Sequence, residues 1–208
     1  MKLPQKVLVT GNSLTLGFGT HGMASTRVDT DWFFHVSAGL KAANPEVQIK
    51  RVSRGNWEGE TNGAARLREL EENLAPHLEP DTDLILVQLG DNVNTPEKRE
   101  TFRTDAADAI RWFHSKCPQA RVIWIYGWYN MEENMALLKE ALAETNTELA
   151  DISEPSPLPE CRNFVGAHYV GADGKDHVIE SPGVASHPND LGMKKIAEIV
   201  LATIFHEK

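Results

Sequence analysis

Short apolar runs alternate along the chain with longer segments in which apolar side chains recur every three or four positions. Residues 6–10 (KVLVT), 84–89 (LILVQL) and 122–126 (VIWIY) are runs of strand length, the pattern expected of strands covered on both faces. Residues 47–52 carry apolar side chains at alternate positions and predict a half-buried strand; 149–152 predicts a further short one. Between these runs, 31–43, 61–74, 97–117, 131–147 and 190–205 have helical period. One face of the second helix holds Gly63, Leu67, Leu70 and Leu74, with Thr61 read as its cap. A stripe on the third holds Phe102, Ala106, Ala109, Ile110 and Phe113, and the last helix has Met193, Ile196, Ala197, Val200 and Ile204 at core spacing. Asn44-Pro45 closes the first helix, and Pro96 suits the opening of the third.

Strand followed by helix, repeated, predicts parallel pairing with right-handed crossovers. The expected result is one α/β domain over 1–208, a three-layer α/β/α flavodoxin-like sandwich with a mostly parallel sheet of about five strands. Ligands of such sheets lie beyond the carboxyl ends of the strands. The segment 151–186 departs from the alternation: it is rich in proline and glycine and lacks helical period, so it predicts a long irregular excursion near the site, with one strand around 163–170.

Composition narrows the function classes. The 208 residues are 41% hydrophobic and 25% charged, ordinary for a globular chain. The formal net charge of −9 argues against nucleic acid or an anionic membrane surface as partner, since both call for clustered Lys and Arg. Two cysteines, Cys117 and Cys161, make no disulfide framework or Cys-x-x-Cys motif and read as core fillers. No apolar run approaches the roughly 20 residues of a membrane span. The start, Met1-Lys2-Leu3-Pro4-Gln5-Lys6, lacks a signal-peptide apolar core, so a cytoplasmic chain is expected; one whose leader had been removed would read the same.

Four strand-end segments carry candidate chemistry. Gly11-Asn12-Ser13-Leu14-Thr15 follows the first strand, where a serine beside glycine is either a helix cap or a nucleophile on a tight turn. Arg54-Gly55-Asn56-Trp57-Glu58-Gly59-Glu60-Thr61 follows the second, with two glycines that allow close approach of a ligand. Gly90-Asp91-Asn92-Val93-Asn94 follows the third; it is either a plain turn or a place for an amide donor at the sheet edge. Ser186-His187-Pro188-Asn189 precedes the last helix, with His187 held extended by Pro188.

In this order and at these positions, the segments resemble the blocks of the SGNH (GDSL-type) esterase and lipase superfamily. Gly11-Asn12-Ser13 resembles the first block, usually Gly-Asp-Ser; Gly59 the second-block glycine; Gly90-Asp91-Asn92 the third, Gly-x-Asn; and Ser186-His187-Pro188-Asn189 the histidine block. Met23-Ala24-Ser25 followed by Asp31-Trp32 is similar to bacterial members whose first block begins Gly-Asn-Ser. The resemblance spans about Val7 to Ile204. It implies a serine hydrolase with Ser13 as nucleophile, His187 as base, and an oxyanion hole from the Ser13 N–H, the Gly59 N–H and the Asn92 side-chain amide. No cofactor and no metal are implied. The implied substrate is a small-molecule or carbohydrate ester, with O-acetyl groups on carbohydrate preferred. The alternatives are a lysophospholipase or thioesterase with a longer acyl pocket, and a catalytically silent carbohydrate-binding relative. One departure stands out: where the family has Asp three residues before the histidine, this chain has Val184. A backbone carbonyl near Val184 is the first candidate to orient His187; Glu180, Asp173, Asp176, Glu58 and Asp190 are the others.

Other signals are weaker. Gly17-Phe18-Gly19-Thr20-His21-Gly22 matches a dinucleotide fingerprint in letters but leads into no helical pattern. Asp173-Gly174-Lys175-Asp176-His177 lacks the ligand spacing of a calcium loop and reads as a solvated turn. His21, His35, His77, His114 and His168 show no paired metal-ligand spacing. Trp124 reads as core, whereas Trp128 and Tyr129 are candidates to line an acyl or sugar pocket.

Overall fold

The computed structural model describes residues 3–17, 26–27, 29–53, 55–171 and 173–206. Met23-Ala24-Ser25, His21 and most of the glycine fingerprint at 17–22 lie outside the described residues.

In chain order the elements are β1 (Lys6–Gly11), α1 (Ser13–Leu16), α2 (Trp32–Ala43), β2 (Gln48–Ser53), α3 (Gly63–Asn73), β3 (Leu84–Gln88), α4 (Pro96–Glu100), α5 (Phe102–Lys116), β4 (Arg121–Tyr126), α6 (Glu132–Thr145), β5 (Glu148–Asp151), β6 (His168–Val170), β7 (Asp176–Val178), α7 (Pro182–Ala185) and α8 (Asp190–Phe205). Strands β1–β5 form one sheet in the order β2-β1-β3-β4-β5, and every pairing in it is parallel. This is the expected flavodoxin-like sandwich, and its strand order reverses direction between β1 and β3.

Alternation along each strand divides the core into two layers. Leu8, Ile85, Val87, Val122, Trp124 and Tyr126 pack on one face with α3, α5 and α6. Val7, Val9, Leu84, Leu86, Ile123 and Ile125 pack on the other with α2 and α8. Each buried apolar side chain contributes about 1.5–3 kcal/mol of transfer free energy, so the alternation also holds the register.

Several boundaries differ from the sequence expectation for identifiable reasons. Helix α3 is capped by Asn62, whose side chain accepts from Ala65 N, rather than by Thr61. The long helix expected over 97–117 is two helices, α4 and α5, that meet at Thr101. Helix α8 is capped by the Asn189 side chain, which accepts from Gly192 N. The excursion over 151–186 holds more structure than expected: β6 and β7 pair antiparallel, with Tyr169 opposite His177 and those two rings stacked at 5.3 Å. Its expected strand shortens to β6, and Asp173-Gly174-Lys175 forms the hairpin turn, with Gly174 at φ 74°.

Candidate active site

The carboxyl ends of β1 and β3, on either side of the reversal in strand order, deliver the first and third candidate segments to one place. Gly11 ends β1 beside β3; a Cβ there would lie on the Gln88 carbonyl and the Thr15 hydroxyl, so glycine is required. Asn12 then leaves the strand and caps α1, its side chain accepting from Leu14 N at 3.0 Å. Ser13 is therefore the first residue of a helical turn and is only partly buried. The N–H groups of such a turn start without intrahelical acceptors.

His187 arrives from the other end of the chain, between α7 and α8, and is 7% exposed. Its Nε2 lies 2.8 Å from Ser13 Oγ. Its Nδ1 lies 2.9 Å from the Gly183 carbonyl and 3.2 Å from the Val184 carbonyl. Carbonyls only accept, so Nδ1 carries the ring hydrogen, and the lone pair of neutral Nε2 faces the serine hydroxyl. Burial pushes the His187 pKa below its ordinary value, and the two carbonyls oppose that shift in part. The neutral, proton-accepting form is thus the one present at pH 7. The Tyr129 ring meets the imidazole edge-on, with centroids 6.0 Å apart.

None of the described acids takes the place of the missing aspartate. Asp190 accepts from Thr26 and Thr30. Asp173 faces His177, and Asp176 faces His168. Glu180 is exposed, and the His187 ring nitrogens bond to Ser13, Gly183 and Val184 instead. Glu58 lies elsewhere in the site. Two main-chain carbonyls from α7, a four-residue turn opened by Pro182, orient the ring instead.

Ser13, His187 and Asn92 line one cavity of about 720 Å³, together with Asn94, Tyr129 and Met131. Trp128 does not line it: that residue is core, with Nε1 donating to the Ser186 carbonyl and so bracing the histidine segment. Gly59 does not line it either. It ends the 3₁₀ turn Gly55–Gly59, is exposed, and has nothing within 4 Å of where its Cβ would stand. The glycine of this segment that approaches the first block is Gly55, where a Cβ would come within 3.6 Å of Asn12 Cα.

Two buried carboxyls that sequence reasoning did not place lie at the cavity, Asp91 in its lining and Glu58 behind Asn92. Glu58 is wholly buried; it accepts from Asn12 Nδ2 at 3.1 Å, Asn92 N at 3.3 Å, Asn92 Nδ2 at 2.7 Å, and Gly90 N. Asp91 accepts from Asn12 Nδ2 at 3.0 Å and from Gln88 Nε2. The Asn12 amide therefore sits between the two acids. Burial, then the Glu58 charge, raises the Asp91 pKa to about 7; burial also raises that of Glu58, which four N–H donors counter. An acidic residue in a glycine-rich loop carries no sequence mark that separates a buried anchor from a solvated side chain. Arg66 was similarly concealed on the helical face of Leu70. Its guanidinium pairs with Asp105, donates to the Glu60 and Lys98 carbonyls at 2.9 Å, and lies over the Trp57 ring, which ties the Glu58 segment to α5.

The arrangement provides a hydroxyl with an adjacent neutral base, an amide donor, and a cavity open to solvent whose walls mix polar side chains with Tyr129, Met131 and Val184. No protein-family model matches the sequence, and no curated protein matches it. Solved structures do resemble the fold over nearly its whole length. A two-domain esterase active on acetylated mannans superposes with a TM-score of 0.62 at 14% identity, covering 98% of this chain and 50% of that one. This chain thus spans half the length of that esterase. A member of the lipolytic G-D-S-L family from Veillonella parvula gives a TM-score of 0.59 at 14% identity, covering 95% of this chain and 96% of that one. Phospholipase A1 from Streptomyces albidoflavus gives 0.60 at 12% identity, covering 96% and 99%. The chain has the fold of the GDSL (SGNH) lipases and esterases.

Proposed function

We propose that this chain is a serine esterase of the SGNH type that hydrolyses a short acyl ester through an acyl-enzyme on Ser13. The observation that carries the reading is the Ser13 Oγ to His187 Nε2 contact of 2.8 Å, with Nδ1 tied to main-chain carbonyls. Ser13 Oγ attacks the ester carbonyl carbon as its proton passes to Nε2. The carbonyl oxygen becomes an oxyanion, bound by the Ser13 N–H and the free N–H of the Asn92 amide. As the tetrahedral centre collapses, the bond to the alcohol breaks and His187 returns the proton to the leaving oxygen. Water then attacks the acyl carbon with His187 again taking a proton, which releases the carboxylic acid and restores Ser13.

The cavity lining supports a choice of substrate class. Asn92, Asn94 and Ser181 offer hydrogen-bonding groups beside Tyr129, Met131 and Val184, a mixture that suits a sugar, which carries hydroxyls at its edges and C–H groups on its faces. The likeness to an esterase active on acetylated mannans points the same way, so an O-acetylated carbohydrate is the preferred substrate. The test is release of p-nitrophenol from a series of C2 to C12 esters, and of acetate from acetylated mannan. Turnover should be greatest at C2 and disappear in Ser13→Ala and His187→Ala. A maximum at C8 or beyond would favour the lysophospholipase or thioesterase alternative. Sugar binding without turnover, unchanged in His187→Ala, would favour the silent carbohydrate-binding relative.

A further inference from the structure

We infer that Glu58 is a positioning residue that sets the Asn92 amide for oxyanion binding; the inference rests on the esterase reading above. Glu58 comes from the loop after β2, Asn12 from the loop after β1, and Gly90 and Asn92 from the loop after β3, so one carboxyl joins three strand ends. Oε2 takes one hydrogen of the Asn92 side-chain amide at 2.7 Å, and Oε1 takes that residue's main-chain N–H at 3.3 Å. Held at both points, Asn92 has little freedom to rotate. An amide is planar, so fixing one N–H fixes the direction of the other, on the exposed, cavity-lining side of the residue. An oxyanion donor works by being oriented before charge develops, and this is what a buried carboxylate accepting four N–H bonds supplies.

Only a carboxylate suits the place. Its two oxygens accept from donors on both sides, and Asp91 shares the Asn12 amide rather than the Asn92 amide. The facing charges are Asp91 and, across the Trp57 ring, Arg66. A glutamine at 58 has the same volume but turns one oxygen into a donor, which then confronts either the Asn92 amide or the main-chain N–H groups of Gly90 and Asn92.

The test is a mutant cycle with p-nitrophenyl acetate. Glu58→Gln should lower kcat with KM within about threefold, and the loss should approach the roughly 10²–10³-fold seen when one oxyanion donor is removed. Asn92→Ala should lose a similar factor, and Glu58→Gln with Asn92→Ala should be no slower than Asn92→Ala alone. Wild-type kcat in Glu58→Gln, or losses that multiply in the double variant, would overturn the inference. If Glu58→Gln fails to fold, the wild type decides: on formation of a phenylboronic acid adduct at Ser13, the Asn92 side-chain proton not bonded to Glu58 should shift in the NMR spectrum. If neither amide proton moves, the inference falls. A wild type with neither Ser13-dependent turnover nor boronate adduct overturns the esterase reading and this inference together.

Discussion

Asp91→Asn should stabilise the fold more at pH 8 than at pH 5. The Asp91 carboxyl is 6% exposed, and one of its oxygens has no hydrogen-bond partner among the described residues. Its pKa in the folded chain is about 7, against 3.8 in the open chain. Between those values the folded state holds a proton that the unfolded state lacks. The associated stability is complete below pH 3.8 and is lost as pH rises to about 7. From pH 5 to pH 7 the loss is about 3 kcal/mol at 1.36 kcal/mol per pH unit, and it stays lost above that. An asparagine at 91 mimics the protonated acid and carries no such penalty. Its NH₂ placed at the unpartnered oxygen costs about 1–3 kcal/mol, but equally at both pH values. Subtracting the pH 5 difference from the pH 8 difference removes that cost. The assay is urea unfolding of both proteins at pH 5 and pH 8. The double difference should be about 3 kcal/mol in favour of the variant at pH 8, equivalent to roughly 6–12 °C in Tm. A double difference near zero would refute the picture of Asp91 as a buried carboxyl that keeps its proton up to about pH 7 beside Glu58.

Three further outcomes follow from the same structure. The pH profile of kcat/KM for p-nitrophenyl acetate should keep its plateau to below the ordinary histidine value of 6.5, because burial lowers the His187 pKa and carbonyls, not a carboxylate, face Nδ1. Val184→Asp should move that acid limb upward while raising kcat no more than about 10-fold, since the tautomer is already held; neutralising a triad acid in a serine protease, which loses the tautomer, costs about 10⁴. A gain of 10³ or more would show that the carbonyls do not orient the ring. Asp105→Ala leaves Arg66 as an unpaired buried charge and should cost about 3–5 kcal/mol by urea unfolding, with a loss under 1 kcal/mol counting against the pair as the anchor of the Glu58 segment.

The α/β/α sandwich and the positions of Ser13 and His187 were legible because each rests on local chemistry. Apolar runs such as LILVQL can be buried only on both faces of a sheet, and the period-2 division of β1, β3 and β4 between two helical layers follows from the pleat. Strand ends could be examined for catalytic residue types before any contact was known. Asn92, read as an amide donor at the sheet edge, lines the same cavity as Ser13 and His187. Gly59 shows the limit: which of two glycines in one loop approaches Asn12 depends on how five residues coil into a 3₁₀ turn, and Gly55 is the one that does.

What the sequence determined by itself, then, was the order of elements, the burial of the strands and the kind of chemistry at their ends. The sequence offered a backbone carbonyl near Val184 as the first candidate to orient His187. Tertiary structure alone decided between it and the five acids, and brought in the Gly183 carbonyl as well, because main-chain acceptors have no identity in the sequence. It alone decided that Glu58 and Asp91 lie under the Asn12 amide while most other acids of the chain face water. The physical reason is one of range: burial of an apolar run is a property of neighbouring residues, whereas the environment of a charge is set by groups that meet across the strand-order reversal from distant parts of the chain.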